Sequence, residues 1–213
     1  MRLGILGGTF DPVHLGHLRT AEEIGQKLKL EKVYLIPSSS PPHKRMSPFI
    51  SFDHRLRMVR LAIDGSDFLD ALDLEGKRPG FSYSIETLKE FHKLFSPDPE
   101  IFFILGMDAF LDIRTWKEYI RLFDYSHFVV IKRPGFTAEM DYSQLNDLIN
   151  SIERTPDSRV FVTPSGRKVI FMEPTLMDIS STRIRKMISE GDSIRFLVPE
   201  SVRTYIMEKG LYR

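Results

Sequence analysis

Gly7-Gly8-Thr9-Phe10-Asp11-Pro12-Val13-His14-Leu15-Gly16-His17 is the stretch whose reading decides how this chain folds. Before it runs Met1-Arg2-Leu3-Gly4-Ile5-Leu6, short and apolar as a buried strand is. After it, residues 18–28 space their apolar side chains along one helical face. Two adjacent glycines let the backbone approach a ligand with no Cβ in the way, and Asp11-Pro12 ends the strand and redirects the chain. His14 and His17 stand three apart, so both imidazoles share one face. They fall near a helix start, where backbone N–H groups and the helix dipole attract anions. The stretch reads as a phosphate-handling turn.

Two familiar nucleotide motifs are excluded. No Gly-Lys-Ser/Thr ending follows, so this is not the P-loop, and Gly4, Gly7 and Gly8 lack the spacing of the dinucleotide fingerprint. A plain strand-to-helix turn with surface histidines is one alternative. A zinc pair is another, weakened because the chain has no cysteine and no nearby Asp or Glu completes a ligand set.

Outward from this turn, apolar runs alternate with helical patterns. Strands are predicted at 2–7, 32–37, 68–73, 101–106, 127–132 and 169–173, and helices at 15–29, 52–64, 84–95, 116–122, 141–152, 180–189 and 199–209. Such alternation predicts an α/β fold with a parallel sheet covered on both faces, and continuous apolar strands agree with burial on both sides. Ligands in such folds sit beyond the carboxyl ends of the strands, where the strand order reverses. Residues 159–172 read instead as a hairpin around Pro164-Ser165-Gly166. The stretch Ser38-Ser39-Ser40-Pro41-Pro42-His43-Lys44 reads as an irregular, mobile loop.

With 213 residues the chain is long enough for one domain, 1–213, with a small helical part from about 178. Its 42% hydrophobic and 28% charged composition is that of an ordinary globule. A formal net charge of +1 implies neither a nucleic-acid-coating surface nor a polybasic membrane patch. Absence of cysteine fits a reducing compartment. The apolar start is too short for a signal-peptide core, and no later run could span a bilayer, so a cytoplasmic location is expected.

A second constellation follows: Asp178-Ile179-Ser180-Ser181-Thr182-Arg183-Ile184-Arg185. Its hydroxyls suit a helix cap. They would equally supply phosphate donors, beside the Arg183 cation, at a second helix N-terminus. Together, the two stretches resemble the signature pair of the nucleotidyltransferase superfamily, H-x-G-H and I-S-S-T-x-x-R. Within it the chain is similar to the bacterial nicotinate-nucleotide adenylyltransferase family, over essentially its whole length. Pro42-His43-Lys44, the run from Gly80 to Leu88, and Gly106-Met107-Asp108 followed by Trp116 sharpen the resemblance.

The resemblance implies a Rossmann-like, doubly wound parallel sheet flanked by helices. It also implies adenylyl transfer from ATP to nicotinate mononucleotide, giving deamido-NAD and pyrophosphate. By that resemblance His14 and His17 contact the ATP phosphates, His17 nearest the transferred one. Gly8, Thr9 and Phe10 contribute from the first turn. Ile179, Ser180, Ser181, Thr182 and Arg183 take the departing phosphates, and Gly106 and Asp108 lie around the adenosine. Mg²⁺ would ride on the ATP phosphates rather than in a protein cage.

On the acceptor side the same resemblance implies Lys44 from the loop, Ser84 in a carboxylate-binding segment, and Trp116 stacked on the cationic nicotinate ring. Trp116 as a core anchor and Lys44 as a solvated loop residue remain open alternatives. Arg133 could face the same cleft. The alternative functions are the same transfer to nicotinamide mononucleotide or phosphopantetheine, or an ATP-binding regulator without turnover. Partners are expected to be the two substrates, with no nucleic acid or membrane and room for a homo-oligomer. One geometric expectation underlies the whole reading: the two helix N-termini converge on a single triphosphate.

Overall fold

The computed structural model describes residues 1–40, 50–132, 142–175 and 177–213. Lys44 and Arg133 lie outside the described residues. Among the described residues eight strands form one sheet in the order β3-β2-β1-β4-β5-β8-β7-β6. The order turns at β1 (Arg2–Gly8), and the Gly7–His17 stretch follows from that strand's carboxyl end. Among the described residues no helix is long and apolar enough to cross a membrane.

The chain divides into two compact units. The first comprises Met1–Ile5 and Tyr83–Pro174. It holds α3 (Ser84–Leu94), β4 (Glu100–Gly106), α4 (Met107–Leu111), a 3-10 turn (Ile113–Thr115), α5 (Tyr119–Tyr125) and β5 (His127–Ile131). It continues through α6 (Tyr142–Ile149), β6 (Glu153–Arg154), β7 (Val160–Val162) and β8 (Lys168–Met172). β5 pairs in parallel with β4, Phe102 opposite His127, and with β8, Phe128 opposite Val169. All five residues of β5 are buried, as the continuous apolar run predicts.

The core of this unit is aromatic. Phe123 and Phe128 sit 4.6 Å apart, and Phe110 meets Phe171 edge to face at 6.0 Å. The predicted hairpin is present: β7 runs antiparallel to β8 across a turn closed by Gly166 N–H to Thr163 O, and β6 adds a further antiparallel strand. The sheet is therefore parallel with an antiparallel edge. β6 has two residues and α4 five, too short to show a period in sequence.

The helix predicted at 116–122 runs instead as α5, Tyr119–Tyr125. Trp116 leaves the 3-10 turn with extended backbone, and Glu118 takes the left-handed region at φ 51°, so the helix begins only afterwards.

The second unit comprises Leu6–Ser82 and Thr175–Arg213. It contains α1 (Leu15–Lys27), β2 (Lys32–Pro37), α2 (Phe52–Ala62), β3 (Leu69–Ala71), α7 (Ser181–Glu190) and α8 (Glu200–Glu208). The two last helices thus group with the first motif. β2 and β3 pair in parallel, Val33 opposite Leu69, and β3 is shorter than the 68–73 predicted. Ser51 caps α2 by accepting the His54 N–H, and Asp53 complements the helix dipole in the first turn. α2 rests on α8, where His54 Nδ1 meets the Tyr205 hydroxyl at 2.8 Å and Ser201 Oγ donates to Leu61 O at 2.9 Å. Ile24, Leu35, Met58, Val59, Val202 and Ile206 are fully buried in this unit.

Candidate active site

The first motif is held in a strained, close-packed turn. Phe10 adopts φ 50°, a region a bulky side chain rarely visits, at a cost of about 1–3 kcal/mol. Its ring is 98% buried, which offsets that cost by about 1.5–3 kcal/mol. The ring lies under Gly8, where an added Cβ would stand 3.1 Å from it, and meets the His17 ring edge-on at 5.0 Å. Phe10 thus sets the height of the imidazole above the turn.

His14 is the N-cap of α1 and His17 its third residue. Their rings stack with centroids 3.6 Å apart. A Cβ on Gly16 would come within 3.1 Å of His14 Nδ1, so the small residue in H-x-G-H makes room for that ring. His17 Nδ1 accepts the His14 backbone N–H at 3.2 Å. In the neutral imidazole the proton therefore sits on Nε2, which becomes a donor. That N–H is a donor directed away from the His14 backbone.

The second motif opens α7. Ser180 is the N-cap and accepts the Arg183 N–H, so the plain capping reading of this serine holds at the level of hydrogen bonding. The next hydroxyl reaches across: Ser181 Oγ donates to Pro12 O at 2.9 Å. Arg185 Nη1 donates to Asp11 O at 2.6 Å, and its Nη2 donates to Thr182 Oγ1 at 3.3 Å. Glu23 of α1 accepts the Thr175 N–H at 2.8 Å, anchoring the segment that leads into α7. Sequence-distant residues are thereby tied: the N-terminal ends of α1 and α7 meet at Asp11-Pro12. Ile179 and Ser181 are half-buried there, while Thr182 and Arg183 are exposed.

Arg55 is a residue of this site's framework that sequence reasoning missed. Its guanidinium is 98% buried in α2 and donates to Thr9 O at 2.8 Å, Ser38 O at 2.6 Å, Ser39 O at 3.4 Å and Ile50 O at 3.4 Å. One side chain thus binds the Gly8–Pro12 turn to both described flanks of the 41–49 segment. Ser82 adds to this by accepting N–H bonds from Ser39 and Ser40 on its hydroxyl. No local sequence signal marks these bonds of Arg55, because its hydrogen-bond partners among the described residues are backbone carbonyls. Arg185 is legible in the sequence, at the last position of I-S-S-T-x-x-R, two residues beyond the Arg183 expected to take phosphate.

In the other unit, Gly106 ends β4 and caps α4, leaving Asp108 exposed in that helix's first turn. Ser84 is half-buried as the first residue of α3. Trp116 is half-buried and leans edge-to-face on Phe103 at 6.3 Å. Part of the indole is therefore a core contact while part stays accessible, so the two readings of this residue are compatible.

The Cytidylyltransferase-like family matches residues 5–187. A relative named probable nicotinate-nucleotide adenylyltransferase, from Desulfatibacillum aliphaticivorans, is 48% identical over 100% of both chains. The chain belongs to the nicotinate-nucleotide adenylyltransferase family. A relative of the same name in Geotalea daltonii is 45% identical over 100% of this chain and 98% of its own. The solved Plasmodium falciparum nicotinic acid mononucleotide adenylyltransferase, complexed with NaAD, superimposes with a TM-score of 0.74 at 22% identity. That match covers 99% of this chain and 97% of the other, and shows the fold that the family shares.

Proposed function

We propose that the chain transfers the adenylyl group of ATP to nicotinate mononucleotide, releasing deamido-NAD and pyrophosphate. The observation that carries this reading is the tie between the two motifs, Ser181 Oγ on Pro12 O and Arg185 on Asp11 O. It supports a shared phosphate site built from two helix N-termini and two imidazoles. The names borne by the full-length relatives supply the acceptor.

The chemistry asks little of side-chain bases. The acceptor phosphate, with a second pKa of about 6, is already largely dianionic at neutral pH. One of its oxygens attacks the α-phosphorus in line, a new P–O bond forms, and the bond to the β-phosphate oxygen breaks as pyrophosphate leaves. Catalysis is then positioning plus charge stabilisation. His17, its proton fixed on Nε2, donates to a non-bridging oxygen of the α-phosphate as charge builds there. His14, stacked against it, holds its orientation and adds a phosphate contact. Gly8, Thr9 and Phe10 contribute from the first turn. Ile179, Ser180, Ser181, Thr182 and Arg183 take the β- and γ-phosphates at the start of α7, where the helix dipole favours negative charge.

Gly106 and Asp108 are assigned to adenosine, and Ser84, Trp116 and Lys44 to the acceptor. ATP enters as its Mg²⁺ complex, the ion held by phosphate oxygens.

The test is pyrophosphate release with ATP, Mg²⁺ and each of three acceptors: nicotinate mononucleotide, nicotinamide mononucleotide and phosphopantetheine. The acid mononucleotide is expected to turn over best. No release with any acceptor would overturn the activity, and preference for the amide would overturn the acceptor.

A further inference from the structure

Asp11 lies in the first motif, where the second motif meets it, and its side chain is only 2% exposed. A carboxylate taken out of water costs free energy unless it is hydrogen-bonded. Its Oδ1 accepts the Tyr212 hydroxyl at 2.6 Å, a short charge-assisted bond reaching across 201 residues of sequence. Its Oδ2 has no hydrogen-bond partner among the described residues and lies 3.9 Å from Arg185 Nη1. That same Nη1 donates to the Asp11 backbone carbonyl. Phe10, with its left-handed backbone, precedes Asp11, and His14 follows three residues later.

We propose that Tyr212 is a positioning residue for the ATP side of the site, acting through Asp11. Its hydroxyl holds Oδ1 and so keeps Oδ2 at 3.9 Å from Arg185 Nη1, beyond hydrogen-bond distance. Arg185 then keeps its bonds to Asp11 O and Thr182 Oγ1, and the α7 N-terminus stays in register with the imidazoles. Without the hydroxyl, the carboxylate has no hydrogen bond left among the described residues, and Arg185, its ion-pair neighbour at 3.9 Å, draws it in. The guanidinium turns from the carbonyl and from Thr182 toward the side chain, and the phosphate-binding end of α7 loosens. Burial, together with the neighbouring carboxylate, pushes the Tyr212 pKa well up, so the phenol remains a donor throughout the working pH range.

This inference rests on the adenylyl-transfer reading. Its test is Tyr212→Phe, which keeps the ring and removes only the hydroxyl. The kcat/KM for ATP is expected to fall about tenfold while the KM for nicotinate mononucleotide stays within about twofold, since misplacement is confined to one substrate. In an Asp11→Asn background, where no carboxylate is left for Arg185 to draw in, the same substitution is expected to cost less than about twofold. A melting temperature measured beside the kinetics separates loss of fold from loss of position.

Equal effects on both substrates, unchanged kinetics, or full additivity of the two substitutions would overturn the proposal. If the unaltered chain releases no pyrophosphate, the adenylyl-transfer reading fails by itself. Calorimetry with a non-hydrolysable ATP analogue then decides the positioning role. Weakening by about tenfold in Tyr212→Phe upholds it, and unchanged affinity overturns it.

Discussion

In the unit built on β4, β5 and β8, phenylalanine rings fill the interior. In the unit built on α1, β2, α2 and α7, a guanidinium and a carboxylate are buried beside a left-handed phenylalanine. The first arrangement draws its stability from apolar area removed from water. The second spends part of that gain to hold backbone carbonyls and two imidazoles in fixed places, through Arg55, Arg185 and Tyr212. Rigid positioning of polar groups is what electrostatic catalysis needs, because donors already in place cost no reorganisation when charge develops. The contrast predicts that substitutions among the buried polar groups of the second unit damage turnover more than folding, and that those among the core phenylalanines of the first do the reverse.

The largest expected effect is at His17. His17→Ala should lower kcat by at least about a hundredfold, as loss of a transition-state donor does, while ATP affinity changes far less. Steady-state turnover and calorimetric ATP binding check this, and wild-type-like turnover would break the contrast.

Next comes Gly16→Ala. Its Cβ would meet the His14 ring at 3.1 Å, and that ring cannot give way freely because it is stacked on His17. Turnover is expected to fall about tenfold with little change in melting temperature.

Smaller still is the effect of Trp116→Ala, which should raise the acceptor KM about fivefold and leave that of ATP nearly unchanged. Equal shifts in both would return Trp116 to the core contact with Phe103 alone.

The aromatic unit supplies a pH test of folding rather than turnover. Burial is the main cause holding His127 down at about pKa 4, aided by Arg167, Lys168 and Arg2 and opposed by Glu100. Its Nδ1 accepts the Lys168 N–H, and the ring stacks on Phe102 at 4.8 Å. The neutral form is therefore favoured in the folded chain. The resulting stability is fully present above the unfolded histidine's pKa of about 6.5 and is lost as pH falls through that value toward 4. Measured by denaturant unfolding, the stability advantage of the wild type over His127→Gln should narrow between pH 7 and pH 4. A gap that stays constant over that range would contradict the assignment.

The same contrast explains what could be read in the sequence. Stretches such as 101–105 and 128–131 are continuous apolar runs, and burial on both faces makes their pattern local and visible. The two motifs were visible because backbone-approaching glycines, paired histidines and capping hydroxyls carry a local mechanism. Arg55 and Tyr212 were not, because what they do depends on carbonyls and a carboxylate far away in sequence. α5 was misplaced for a related reason: the left-handed Glu118, at a residue type giving no sign of it, delays the helix past Trp116. Local chemistry can be read directly, whereas a contact spanning 201 residues has to be folded first.

Convergence of the α1 and α7 N-termini on one triphosphate is tested most directly by a crystal structure of the protein with a non-hydrolysable ATP analogue and Mg²⁺. The account predicts an α-phosphate oxygen at hydrogen-bond distance, about 2.7–3.1 Å, from His17 Nε2, with the β- and γ-phosphates against the backbone N–H groups of Ser181 and Thr182. A triphosphate bound clear of either helix end would contradict it.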